Sequence, residues 1–239
     1  MGTGWWVATL WNENPVLVIS WVFWIIFSIC LHELAHGWTA IRLGDRTPID
    51  SGHMTWNPLV HMGAWSLVMF AMIGIAWGAM PVDPTRLRGR HADAMVAGAG
   101  PATNITLALI ALALLTAWVP IAGGLVWSGV RVEDQAFANV VWFLRLGIML
   151  NVALAAFNMI PVPPLDGSRV LASFSRWYDN LFRGEHAAGI AMVLFVGVFL
   201  LAADPIFGMA FRAADHAAVW ALDLVSTEAV LRYADALMS

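Results

Sequence analysis

The run His32-Glu33-Leu34-Ala35-His36 holds three groups that together could hydrolyse a bond. On a helix, residues four apart share a face, so both imidazoles can reach one divalent ion. Zn²⁺ takes imidazole nitrogen at about 2.0–2.1 Å. Glu33 adjoins the first imidazole and can remove a proton from water that such an ion activates. The run sits in an apolar stretch, where two histidines and a glutamate cost several kcal/mol unless they meet each other or an ion. A catalytic zinc needs a third protein ligand and an open fourth position.

The second group of interest is Asn158-Met-Ile-Pro161-Val-Pro163-Pro164-Leu165-Asp166-Gly167. Three prolines interrupt an apolar helix there and free backbone groups, which a membrane tolerates only against protein or a water-filled cavity. Asp166, on an irregular segment, can aim a carboxylate at the ion, and the Asn158 amide can face a developing oxyanion. Leu-Asp-Gly is also ordinary turn chemistry, so at this point Asp166 is either a ligand or a turn residue.

The elements that must position these groups follow from composition. The chain has 239 residues, 60% hydrophobic and 12% charged, with mean hydropathy +0.74. Soluble domains carry about 25% charged residues, and half that share cannot cover a soluble particle. A net charge of −4 without a basic tract excludes a nucleic-acid partner. The single cysteine, Cys30, excludes an internal disulfide and a CxxC zinc site. What remains is an all-α polytopic membrane protein, a bundle of 4–6 transmembrane helices.

Residues 1–203 read as one membrane-embedded domain. A metal helix covers 15–43, between a proline suited to a first turn and the stop signal Gly44-Asp45. A short β-hairpin near the active site is expected within 47–57, turning at Asp50-Ser51-Gly52. Gly63–Met80 is short, glycine-containing and closed by Pro81, as a re-entrant segment would be. Further spans are expected over 92–119, 137–160 and 187–203, and 204–239 reads as an amphipathic C-terminal tail. Trp5, Trp6 and Trp11 suit an interfacial belt before the first span, and no removable signal peptide is expected.

Arginine placement orients this bundle. Arg42 and Arg46 follow the first helix, Arg86, Arg88 and Arg90 follow Gly63–Met80, and Arg169, Arg176 and Arg183 follow the 137–160 span. The positive-inside rule puts all of them on the cytoplasmic side of the plasma membrane, provided Gly63–Met80 does not cross. Depth agrees. Val16 to His32 covers about 25 Å and Phe137 to Asn158 about 33 Å, so both motifs arrive near the cytoplasmic end of the hydrocarbon.

With these residues in place, the chain resembles the site-2 protease family of intramembrane zinc metalloproteases over most of residues 15–185. His32-Glu33-Leu34-Ala35-His36 matches the family's metal helix, and Asn158…Pro161…Leu165-Asp166-Gly167 matches its third-ligand motif. Gly100-Pro101-Ala-Thr-Asn104 looks like its GPxxN turn, and Asn57-Pro58-Leu59-Val60-His61 like a run seen in short members. The resemblance implies one zinc per chain on His32, His36 and Asp166, with Glu33 as base and Asn158 as oxyanion donor. It also implies cleavage of a single-span membrane protein within its transmembrane segment, releasing a fragment to the cytoplasm. No room exists within this chain for PDZ or CBS modules. Met62-Gly63 and Ala79-Met80 depart from the short members' pattern, which leaves the role of Gly63–Met80 open.

Two rival readings stand beside this one. Another class of membrane zinc hydrolase would take its third ligand from a downstream glutamate, but Glu133, Glu185 and Glu228 lack a supporting pattern. A metal-binding transporter or scaffold would keep its function when Glu33 is replaced. Among other residues, His61 suits a loop cap or a transient ligand, and Asn104 a loop hydrogen bond. Cys30 lies about 200° around the helix from His32 and should not meet the ion. Arg145, inside an expected span, requires a partner that the sequence does not name.

Overall fold

The computed structural model describes residues 6–123, 133–182, 184 and 186–238. Trp5, Arg183 and Glu185 lie outside the described residues. Among the described residues the regular structure is helical and no strand forms. The helices are α1 (Trp6–Glu13), α2 (Pro15–Arg42), α3 (Thr47–Asp50), α4 (Pro58–Ile73), α5 (Ala92–Ala122), α6 (Asp134–Asn158), α7 (Asp166–Phe174), α8 (Arg176–Leu181), α9 (Ala187–Asp223) and α10 (Thr227–Met238). Four of them, α2, α5, α6 and α9, are long and apolar enough to cross a membrane.

The metal helix forms where its end signals sit. Asn14 Oδ1 accepts the Val16 N–H at 2.9 Å and Pro15 opens the first turn, where its missing N–H costs nothing. At the other end Gly44 takes φ 104°, and the Asp45 N–H reaches back to the Ala40 carbonyl at 3.0 Å. That is a left-handed glycine cap of the Schellman type.

The expected hairpin does not form. Asp45 is fully buried, and its Oδ1 accepts both the Thr47 N–H and the Thr47 hydroxyl, which nucleates a helical turn. Pro48 then fixes φ and offers no N–H to a ladder, so the segment closes as the single turn α3. The expected Gly63–Met80 element is also redrawn. α4 begins at Pro58, capped by Asn57 Oδ1 on the Leu59 N–H, kinks at Gly63 (φ 69°) and stops at Gly74 (φ 78°). Residues 75–83 form no regular element, and the expected re-entrant segment over Gly63–Met80 is not supported. Ser66 Oγ donates to the Trp77 carbonyl and accepts the Trp77 N–H, and the Ala79 N–H donates to the His61 carbonyl.

Three other boundaries differ from expectation. α5 runs straight through Gly100-Pro101, so the GPxxN residues lie inside a helix and not in a turn. α6 spans 134–158 instead of 137–160. No break separates 203 from a C-terminal tail: α9 continues through Pro205 to Asp223. Proline removes one internal hydrogen bond, which an apolar helix tolerates when its neighbours satisfy the freed carbonyl.

The chain divides into two compact units. One is Ile26–Ile105 with Ala153–Ile206; the other is Met1–Ile25 with Thr106–Val152 and Phe207–Ser239. In the second, Leu115, Val119, Val141 and Leu150 are buried together with the small residues Ala111, Ala138, Ala214 and Ala218. Between apolar helices in lipid the driving force is close packing, which small residues permit. Trp24 belongs to the same unit, and its indole N–H donates to the Phe143 carbonyl at 2.8 Å.

Arg145 finds its partner in this unit. Its guanidinium donates to both carboxylate oxygens of Asp215, at 2.6 and 2.9 Å, and the Tyr233 hydroxyl of α10 donates to Asp215 at 3.1 Å. The guanidinium carbon also lies 3.9 Å from the Phe211 ring centre and 5.0 Å from that of Trp142. A charge-assisted fork with aromatic faces beside it is how an arginine is accommodated in an apolar bundle.

Candidate metal centre

All the candidate residues discussed in this section lie in the unit Ile26–Ile105 with Ala153–Ile206. The helical spacing of His32 and His36 brings their rings edge to face at 4.6 Å between centres. Each ring is held from behind by α5. His32 Nδ1–H donates to Asn104 Oδ1 at 2.6 Å, and His36 Nδ1–H donates to the Val96 carbonyl at 2.7 Å. A neutral imidazole that donates from Nδ1 leaves a lone pair on Nε2, so these two bonds set the tautomer a metal ligand requires.

Asp166 meets those lone pairs. Its Oδ2 lies 3.1 Å from His32 Nε2 and 3.3 Å from His36 Nε2, and all three residues are buried. The carboxylate arrives at the first residue of α7, where an acidic side chain also suits the helix N-terminus. Gly167 lets that first turn press onto the Met159 and Ile160 backbone, since a Cβ there would collide with both carbonyls. Leu165-Asp166-Gly167 is thus a helix start seated by close approach, not a free turn. The Tyr178 hydroxyl donates to the Pro161 carbonyl at 2.9 Å and ties down the proline segment from its far side.

The donor set fits a metal ion. With both Nδ1 atoms donating, the two Nε2 atoms and Oδ2 are three acceptors turned toward one another, and Oδ2 has no hydrogen-bond donor among the described residues. Their ligating atoms lie within 4.8 Å of one another, the only group of its kind among the described residues. Three facing lone pairs in a dry setting repel unless a cation sits among them.

Gly100 makes the close approach of α5 possible. A Cβ at this position would lie 2.5 Å from the Nε2 atoms of His32 and His36. The sequence marked Gly100 and Asn104 only as a turn and a loop contact, but both touch the imidazoles directly. Their spacing of four was the available signal: it puts them on one face of a helix.

Glu33 is buried and within electrostatic reach of His32, His36, Asp166 and His61. Gly78 walls it in, because a Cβ there would lie 2.5 Å from Glu33 Oε1. Asn158 ends α6, with its Nδ2 donating to the Leu154 carbonyl at 3.0 Å. His61 caps a loop, Nε2–H donating to the Thr55 carbonyl at 2.6 Å, and its Nδ1 is buried with no partner among the described residues. Cys30 is buried and is not among the converging ligands.

The model of peptidase family M50 matches residues 20–203. The chain is 34% identical over 160 residues to a protein of Bacillus subtilis (strain 168) named as the zinc metalloprotease YwhC, covering 66% of this chain and 68% of that one. It is 34% identical over 159 residues to one of Mycolicibacterium smegmatis named as the zinc metalloprotease Rip2, covering 64% of this chain and 54% of the relative. It is 30% identical over 140 residues to one of Methanocaldococcus jannaschii named as the zinc metalloprotease MJ0611, covering 59% and 62%. The chain thus spans little more than half the length of the second relative. No solved structure matches it.

Proposed function

This chain belongs to peptidase family M50, the site-2 protease family of zinc metalloproteases, and on that premise we propose that it cuts single-span membrane proteins within or beside their transmembrane segments. The observation that carries this reading is the convergence of His32, His36 and Asp166 with both Nδ1 atoms already engaged. We assign those three residues as the zinc ligands. When bound, zinc supplies a Lewis acid that lowers the pKa of water toward about 7 and polarises a carbonyl.

The protein's own groups do the rest. Glu33 takes the proton of the attacking water and hands it to the leaving amine, a role that general acid–base catalysis values at about 10²–10⁴-fold. Asn158 keeps one amide proton beyond its bond to Leu154, and we assign that proton to the developing oxyanion. Asn104 and the Val96 carbonyl hold the imidazoles in place.

A substrate helix hides its peptide bonds in its own hydrogen bonds and must unwind before it is cut. The segment after Gly74 offers a place for the unwound chain: Trp77 and Ala79 engage α4 through their N–H groups, and Gly78 between them lies against Glu33.

The arginines that follow the α2, α4 and α6 stretches in the chain support a cut toward the cytoplasmic side of the plasma membrane, by the positive-inside rule. The test is proteomics on membranes of cells that carry Glu33→Gln in place of the wild type. A single-span protein that accumulates uncut, and is cut by purified wild type in proteoliposomes, supports the proposal. An unchanged membrane proteome together with full phenotype from Glu33→Gln would favour a scaffold or transporter instead.

A further inference from the structure

The unit that contains Arg145 also contains a cavity of about 670 Å³, walled by α1, α2, α6 and α9. Its lining is apolar, with Leu17, Trp21, Leu146, Met149 and Phe207 prominent, apart from two guanidinium groups. Arg145 is neutralised by its fork on Asp215. Arg212 is exposed and makes no ion pair among the described residues. The hollow therefore carries one uncompensated positive charge on a wall that is otherwise hydrocarbon.

We propose that this hollow is a lipid site: it holds an acyl chain of an anionic phospholipid whose phosphate meets Arg212. An arginine on an apolar helix without a counter-ion must find an anion, and a guanidinium matches phosphate in a two-point fork. A cavity of this size is in the range that encloses most of a small amphiphile. Charge and shape together select the occupant. A neutral lipid leaves Arg212 uncompensated, and a free anion leaves the apolar walls unfilled.

The test uses the intact protein in nanodiscs of phosphatidylcholine with or without phosphatidylglycerol, released into a native mass spectrometer. Wild type should retain one phosphatidylglycerol, preferred over phosphatidylcholine about fivefold, the size expected for one basic residue at a membrane surface. Arg212→Gln should abolish the preference, and Arg212→Lys should restore part of it. Gly208→Leu fills the hollow with Arg212 intact, and a Cβ there meets Arg212 Nη1 only at 3.7 Å, an ordinary contact. That variant should lose the retained lipid of either kind. Zinc content, read at His32, His36 and Asp166, reports whether each variant is folded. Equal retention of both lipids by wild type and Arg212→Gln would overturn the proposal. So would inorganic phosphate raising Tm as much as the lipid does, or a second copy of the chain retained in the lipid's place.

Discussion

At the scale of single residues the metal centre separates into groups that hold the ion and groups that use it. Glu33→Gln keeps the size of the side chain and removes its basicity. Turnover should fall by about 10²–10⁴-fold while zinc stays at one per chain, measured by elemental analysis beside a cleavage assay. Asn104→Ala has the opposite signature. Without Oδ1 the His32 ring loses its tautomer lock, and metal affinity should fall about 10–100-fold, read by competition with a chelator. Asn104→Asp restores an acceptor and should recover most of that loss. His32 and His36 were legible as a pair, because residues four apart on a helix share a face, whereas spacing left Asp166 either a ligand or a turn residue. Asn104 was not legible, since its role depends on which helix lies across from His32, and a single chain does not announce its neighbours.

At the scale of elements, what could be read was the long apolar run, and what could not was the short polar connection. α2 and the start of α5 fell where their end signals and hydropathy put them. The 47–57 segment misled because Asp50-Ser51-Gly52 has hairpin composition, while Asp45 and Pro48 settle the conformation from outside the turn. Asp45 makes this testable. Burial opposes its ionisation, but the Thr47 hydroxyl, the Thr47 N–H and the Asp83 N–H outweigh burial and depress its pKa. A carboxyl lowered on folding adds stability that is complete above its unfolded pKa of about 4 and is lost as pH falls through the lower folded value. Acid unfolding followed by circular dichroism should therefore be flatter below about pH 4 in Asp45→Asn than in wild type. Gly100→Ala tests the approach of α5 to α2: helix content should persist while zinc binding is lost, because the added methyl meets both Nε2 atoms. Activity alone would not distinguish that outcome from general unfolding, so both readings are needed.

At the scale of the whole molecule, the two compact units carry different work. One holds every residue of the metal centre, and the other holds the Arg145–Asp215–Tyr233 cluster and the lipid cavity. Breaking a buried ion pair by removing one partner costs about 3–5 kcal/mol, and less here because Asp215 is about one-third exposed. Arg145→Met should lower Tm accordingly, and Arg145→Met with Asp215→Met should recover part of the loss. Zinc content should stay unchanged in both. Sequence could show that Arg145 needed a partner, but Asp215 lies 70 residues away on a stretch read as a tail.

The ligands also differ in age during synthesis. His32 and His36 emerge from the ribosome some 130 residues before Asp166 does. A nascent chain arrested before Asp166 has two of three anchors and should hold no zinc at concentrations that load the full-length protein. The interval acts as a built-in delay: the zinc site stays incomplete while α2, α5 and α6 are still being threaded into the bilayer.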